Sequence, residues 1–273
     1  MLPWNYGFHW TTATMIFMGA FYTVLVTVAS TLVNAAWRSR RALRAGRAER
    51  IRWRSDFHDL PACDRQCRHT FTGEFQYREC PHAFDCRECA THAKLVAEHP
   101  PAPAEAEEEV FGLCFPLDRL YHRGHTWARR EDDGTVTVGL DDLGERLLGA
   151  PEAVELPRPG ERVTVNGTAW RARKRNADVR VLSPVDGVVV ATGGPGAPWY
   201  LRIRPDRADF RNLLSGAEVR PWVMREMERL QLALTAEGAA PTLADGGVPV
   251  ADIAASYPQA DWDAVCGDMF LEG

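Results

Sequence analysis

The longest apolar run comes first. Thr11 to Ala36 carries no charged residue, and its Met15-Ile-Phe-Met-Gly-Ala-Phe-Tyr-Thr-Val-Leu-Val-Thr-Val-Ala-Ser core approaches the ~20 residues needed to cross hydrocarbon. The pattern predicts one transmembrane helix over residues 11–37, with Trp4, Tyr6 and Trp10 at one interface and Trp37 at the other. From Gly134 the period changes to two: Thr-Val-Thr-Val-Gly-Leu, then Glu161-Arg-Val-Thr-Val, Asp178-Val-Arg-Val-Leu and Val188-Val-Val-Ala, separated by Pro and Gly turns. Short strands with frequent turns predict a sandwich or flattened barrel. Near the C-terminus Trp262, Val265, Cys266, Met269 and Phe270 return to helical spacing, with acidic residues on the opposite face and Pro258 marking the start. That face can pack on its own domain or dock a partner.

Charge then orients the apolar helix. The net charge of −5 hides an asymmetry: Trp37 to Arg54 holds eight Arg and one Glu, whereas everything after Arg229 holds seven Asp or Glu and no Lys or Arg. Short flanks rich in Arg stay cytoplasmic, so the N-terminus is expected outside and the rest inside, as a single-pass protein of the inner membrane. A cleaved signal peptide would carry its positive charge before the apolar stretch, the reverse of this order. Gly19, Thr23, Thr27 and Thr31 recur every four residues, with Asn34 beyond them, a stripe along which helices can approach in lipid. This predicts self-association, a partner helix in a membrane complex, or a lone anchor with ordinary Thr content.

Cysteine use changes the picture next. Five of the seven Cys lie between Cys63 and Cys89, among His58, His69, His82 and His92. Thiolates and imidazoles in a short segment are the ligands of soft or borderline metals. Cys86 and Cys89 form a Cys-x-x-Cys pair, and Cys67 and Cys80 can complete a tetrahedron once Thr72-Gly73-Glu74 turns the chain back; Cys63 and His69 are reserve ligands. Structural zinc is the first expectation, because an ion substitutes for a core that ~40 residues cannot build. An iron–sulfur cluster, or thiols without metal, are the alternatives. A Pro-, Ala- and Glu-rich stretch follows, with the composition of an extended linker.

Five ordered blocks carry a resemblance. Tyr121-His-Arg-Gly-His-Thr-Trp127, Asp133-Gly-Thr-Val-Thr-Val-Gly-Leu140, Leu148-Gly-Ala-Pro-Glu-Ala-Val-Glu-Leu-Pro157, Ser183-Pro-Val-Asp-Gly187 and Trp199-Tyr-Leu-Arg-Ile-Arg-Pro205 resemble the glycine-cleavage H protein in order and spacing. The resemblance implies a lipoyl-domain sandwich with a protruding hairpin and C-terminal helices, here Pro221 to Leu234 with Val223, Met227 and Leu230 on one face. It also implies a lysine on the hairpin that carries lipoate, and a protein without catalysis of its own. Counting back eight residues from the proline of the Ser-Pro-Val-x-Gly block places Asn176 at that lysine, and the family's preceding glutamate falls on Arg173. A carboxamide nitrogen cannot be acylated as an amine can. Lys174, two residues earlier, would keep the same face after a slipped turn and is the alternative lipoyl site. The tip is basic, with Arg171, Arg173, Arg175 and Arg180. His122 and His125 fall in a block that is a packing element in that family.

The fold expected is mainly β: a lipoyl/H-protein-like flattened β-sandwich with C-terminal helices, preceded by one transmembrane helix and a small Cys/His metal module. The divisions are an external N-terminus (1–10), the membrane helix (11–37), a basic segment (38–57), the Cys/His module (58–98), the linker (99–111), the H-protein-like domain (112–235) and the acidic tail (236–273). The function expected is that of a membrane-anchored, non-catalytic adaptor or complex subunit, without lipoate and without a nucleic-acid partner. Arg171, Arg173, Arg175, Trp262, Met269 and Phe270 are its expected docking residues. The alternatives are a lipoyl carrier using Lys174 and an electron-transfer subunit with an iron–sulfur centre. Cys114 and Cys266 are expected as buried thiols.

Overall fold

The computed structural model describes residues 11–44, 60, 62, 64–98, 108–175, 177–193, 197–236 and 248–271. It divides into two units, 1–51 and 52–273. Trp4, Tyr6, Trp10, His58 and Cys63 lie outside the described residues.

The first unit contains helix α1 (Thr12–Arg44). Its stretch Thr12–Trp37 is long and apolar enough to cross a membrane, and none of it is buried within the protein. At 1.5 Å per residue this stretch is about 39 Å long, more than the ~30 Å hydrocarbon thickness. The polar side chains of its stripe turn back onto the helix. Thr23 Oγ1 donates to Gly19 O (2.7 Å), Thr27 Oγ1 to Thr23 O (2.8 Å) and Thr31 Oγ1 to Val28 O (2.8 Å), so none of these hydroxyls needs water.

The second unit begins with two short helices in the cysteine segment, α2 (Arg68–Phe71) and α3 (Ala90–Glu98). Strands follow: β1 (Glu108–Val110), β2 (Leu113–Phe115), β3 (Leu120–Tyr121), β4 (Thr126–Arg130) and β5 (Val136–Leu140). Helix α4 (Asp142–Leu148) is capped by the Asp141 carboxylate, which accepts from Gly144 N. Then come β6 (Ala153–Glu155), β7 (Arg162–Val163), β8 (Thr168–Lys174), β9 (Ala177–Leu182), β10 (Gly187–Thr192) and β11 (Leu201–Pro205). Helices α5 (Val219–Ala236), α6 (Ile253–Ser256) and α7 (Trp262–Met269) close the chain.

Every strand pair is antiparallel, in a large sheet of order β3-β4-β5-β11-β10-β7, a small sheet β6-β8-β9, and the ribbon β1-β2. Alternation along each strand fills the space between the sheets: Val138, Leu201 and Ile203 from one meet Trp170, Ala172, Val179 and Val181 from the other in a single core. The predicted helix after the sheets is α5, which buries Trp222, Val223, Met227, Leu230 and Leu234. It is entered through a capping box in which Ser215 N donates to the Glu218 carboxylate.

The acidic tail departs from the docking expectation. Trp262, Met269 and Phe270 are fully buried in the domain's own core, where α7 lies against α5 and β9. The periodic face is real, but its partner is the edge strand of the same molecule. Cys266 is buried as expected, whereas Cys114 on β2 is exposed.

The cysteine segment packs on this domain as part of the same unit. Gln66 and Glu79 form a β-bridge, Cys67 N donates to Arg78 O and Cys80 N to Arg65 O (2.7 Å each), and the turn expected at Gly73 is present with φ +88°. Leu60, Cys80 and Phe84 share a small cluster with Leu182 and Leu271 of the domain.

Candidate functional site

The hairpin β8–β9 is the first candidate. Lys174 pairs with Ala177, which leaves a two-residue turn, and Arg175 has φ +52°, the left-handed value such turns demand. Asn176, where the resemblance places the lipoyl lysine, lies outside the described residues. Alternation sends Arg171 and Arg173 outward and Trp170, Ala172 and Lys174 inward.

Lys174 is therefore only 7% exposed. Its Nζ donates to Ala150 O (3.0 Å) and to the Asp252 carboxylate (2.7 Å). Asp252 also caps α6 by accepting from Ala255 N (2.9 Å). Burial would raise the Asp252 pKa, but the hydrogen bonds from Lys174 and Ala255 outweigh it and hold the carboxyl below its ordinary range. Gly149, with φ +53°, lies against that carboxylate, and a Cβ there would come within 2.3 Å of it. Acylation of this lysine needs a free amine, so Nζ would first have to leave both partners. Lys174 and Lys94, which lies on α3, are the only two lysines in the chain.

The arginines of the hairpin are interleaved with acids. Glu155 and Arg180 flank Arg171 across the small sheet, Asp178 faces Arg173, and Arg171 Nη1 lies 3.7 Å from Asp178 Oδ2. Arg175 N donates to the Glu152 carboxylate (3.2 Å). The basic run in sequence is thus a mixed surface in three dimensions, although Arg171, Arg173 and Arg175 remain exposed.

The second candidate is the cysteine segment. Cys67, Cys80, Cys86 and Cys89 are all buried. Burial pushes the Cys86 thiol up to about 11, with repulsion from Cys80 and Cys67 adding to it and Arg68 opposing it. Cys67 is raised by burial too, and by repulsion from Cys80 and Cys89. Phe84 N points at Cys80 Sγ (3.3 Å), an arrangement reached through left-handed φ at Ala83 and Phe84. Among the described residues, however, no group of three or more His, Cys, Asp or Glu side chains is placed to hold a metal ion. The reserve ligand His69 is engaged elsewhere, its Nε2 lying 3.0 Å from His92 Nδ1.

Sequence reasoning missed the residues that join this segment to the domain. Arg123 lies under Phe84 and Phe71, with centroid distances of 3.5 and 4.9 Å, and donates to Gln66 O (2.5 Å) and Asp64 O (3.2 Å). Arg68 grips the Glu218 carboxylate with Nε and Nη2, and the carbonyls of Arg211 (2.6 Å) and Leu213 (3.0 Å). Arg87 reaches Asp186 of the Ser-Pro-Val-Asp-Gly block. An arginine beside each histidine or cysteine motif was the available signal.

His122 and His125 are both buried and held by specific contacts. His122 Nδ1 accepts from Gly124 N (3.0 Å) and Nε2 faces Asn166 Oδ1 (2.8 Å), while Asn166 Nδ2 donates to Ala83 O (2.6 Å). Burial keeps this ring neutral, with its pKa lowered to about 4. His125 has the opposite fate. Its Nδ1 lies 3.1 Å from Asp141, its Nε2 is 3.7 Å from Glu226, and its ring stacks on Trp222. Burial disfavours the cation, but the carboxylates prevail and lift the pKa to about 9. Glu226 pairs in turn with Arg229 (2.5 Å), which reaches Asp64 (2.9 Å). Among the described residues, no nucleophile is hydrogen-bonded to either histidine.

Residues 119–193 match the sequence profile of the glycine cleavage H-protein family. The glycine cleavage system H protein of Psychrobacter sp. (strain PRwf-1) is 38% identical over 117 residues, which are 38% of this chain and 93% of that protein. That of Neisseria gonorrhoeae (strain ATCC 700825 / FA 1090) is 31% identical over 126 residues, 41% of this chain and 95% of the relative. A crystal structure of a glycine cleavage system H protein from Mycobacterium marinum is 24% identical, covers 38% of this chain and 94% of its own, and has a TM-score of 0.34. Through this domain, the chain belongs to the glycine cleavage H-protein family.

Proposed function

We propose that the chain is a membrane-tethered H-protein-like scaffold, without lipoate and without a reaction of its own, that serves as adaptor or subunit of a membrane-associated complex. The observation that carries this reading is the fate of the amines. The family's acceptor position holds Asn176, and the neighbouring Lys174 is committed to Asp252 and Ala150. The span Thr12–Trp37 supports a single-pass anchor, and the arginines after it support a cytoplasmic placement of everything that follows. Arg171, Arg173 and Arg175 are the part of the hairpin that a protein partner can reach.

The four buried thiols are proposed to close on a structural zinc ion. The shared burial of Cys67, Cys80, Cys86 and Cys89 within one short segment supports this, since a soft cation is the partner that buried thiolates require. Side-chain rotation is required, because no three of them converge as they stand.

One gently solubilised, full-length preparation tests the reading. Intact mass should lack a lipoyl increment, metal analysis should return about one zinc per chain, and a cross-linked partner or dimer should be recovered. A lipoyl increment that disappears in Lys174→Ala would replace the scaffold by a carrier. Visible absorption from an iron–sulfur centre would replace zinc and imply electron transfer.

A further inference from the structure

The arginines around the cysteine segment differ in how their charge is met. Arg68 faces Glu218, Arg87 faces Asp85 and Asp186, and Arg229 faces Glu226 and Asp64. Arg123 is only 4% exposed, yet among the described residues no carboxylate lies within ion-pair distance of it. Its guanidinium donates to the backbone carbonyls of Gln66 and Asp64, its Nε has no acceptor, and it lies over the rings of Phe84 and Phe71. Glu226 attracts it from further off, but already answers Arg229 and His125. Arg78 is in the same position. It is half-buried over Phe75, donates from Nη2 to Thr91 Oγ1 (2.9 Å), and has neither an acceptor for Nη1 nor a carboxylate within ion-pair distance among the described residues.

Both cations border the buried thiols. Arg123 bonds the carbonyl of Gln66, the residue before Cys67, and lies 3.5 Å from the ring centroid of Phe84, whose N–H points at Cys80 Sγ. Arg78 is paired through its backbone with Cys67, whose N–H donates to Arg78 O (2.7 Å). The charge of Arg123 acts on Cys80 and Cys67, and that of Arg78 on Cys67. A buried cation without an anion is strongly destabilising, and four uncharged thiols supply none. Four thiolates around one divalent ion carry a net double negative charge, which these two guanidinium groups together balance.

We propose that Arg123 and Arg78 are the counter-cations of an anionic tetrathiolate zinc centre formed by Cys67, Cys80, Cys86 and Cys89, so that loading the segment with metal and docking it on the H-protein-like domain are one event. The inference rests on the zinc reading above and extends it: half of the balancing charge comes from the domain, because Arg123 stands in the Tyr121–Trp127 block. A centre of two thiolates and two imidazoles would be neutral and would leave both arginines unanswered. The two residues are positioning groups and not ligands, since a guanidinium stays protonated and has no lone pair to offer a metal. Without metal, both cations face uncharged thiols, and the segment loosens from the domain.

Competition for zinc between the full chain in detergent micelles and a chromophoric chelator tests this. Loss of an outer partner of a metal site costs about 10- to 100-fold in affinity, and Arg123→Gln, which keeps donors but loses the charge, should weaken zinc binding by that factor. Arg123→Lys keeps the charge but loses the planar fork, and should hold zinc nearly as the parent does. Arg78 bonds within the segment, to Thr91, so Arg78→Gln should weaken zinc binding in the same range and keeps the test open where Arg123→Gln fails to fold. Hydrogen exchange gives a second readout: withdrawing zinc from the parent should speed exchange at residues 121–125 of the domain. The proposal is overturned if the glutamine and lysine variants of Arg123 lose zinc equally, or if zinc withdrawal leaves exchange at residues 121–125 unchanged. A parent that binds no zinc sinks the zinc reading and this inference together, whereas zinc held equally well by both glutamine variants sinks this inference alone.

Discussion

The contact between Lys174 and Asp252 can be read directly through the chemistry of the lysine. With only Lys94 and Lys174 as lysines in the chain, acylation by a water-soluble amine-reactive reagent reports on two side chains, and Lys94 serves as reference because its side chain is 74% exposed. For Lys174 to react, its Nζ must leave both partners. Hydrogen bonds to charged groups contribute ~1.5–3 kcal/mol, so Lys174 should be acylated about 10- to 150-fold more slowly than Lys94. The Asp252→Ala change removes the ion pair and the cap of α6, whose loss alone costs ~1 kcal/mol, and should bring the two rates within a fewfold. Peptide mass spectrometry of time-resolved labelling gives both rates from one sample. Equal rates in the parent protein, or unchanged protection in Asp252→Ala, would refute the argument that the tail shields this amine.

Other outcomes follow from the same geometry. His125, lifted from 6.5 to about 9, adds stability that is complete below pH 6.5 and lost as pH rises through 9, and His125→Gln should flatten that alkaline limb of a Tm–pH profile. His122, lowered from 6.5 to about 4, adds stability that is present above pH 6.5 and lost as pH falls toward 4, so His122→Gln should flatten the acid limb. Gly149→Ala combines a left-handed φ with a collision against Asp252, and should cost ~1–3 kcal/mol in denaturant unfolding while exposing Lys174 to acylation. Arg123→Met strands the Asp64 and Gln66 carbonyls, and should cost ~2–4 kcal/mol, read as faster proteolysis within residues 64–98.

Much of the domain was legible because strand alternation and turn residues are local. β5, β9 and β10 fall on the segments whose period is two, and α5 and α7 on those whose period is that of a helix. Periodicity says that a face is apolar, not what covers it, which is why Trp262 and Phe270 read as docking residues and proved to be core. The hairpin read as purely basic for a related reason: Glu155 and Asp178 become the neighbours of its arginines only through strand pairing. The bonds that unite the cysteine segment with the domain leave no periodic trace, since Arg68 and Glu218 are 150 residues apart. For the same reason the Pro-rich stretch read as a spacer between separate modules, while the segments on either side of it belong to one unit.

The buried arginines set where this protein can be cut. Removing everything before Glu108 would strip Glu218 of Arg68, Arg229 of Asp64 and Arg123 of its aromatic bed and carbonyl acceptors, all beneath the surface. Orphaned buried charges destabilise by several kcal/mol, comparable to the ~5–15 kcal/mol that holds a whole domain folded. An excised family domain would accordingly be a poor reagent for binding or crystallisation, and the smallest workable soluble fragment should start ahead of Leu60.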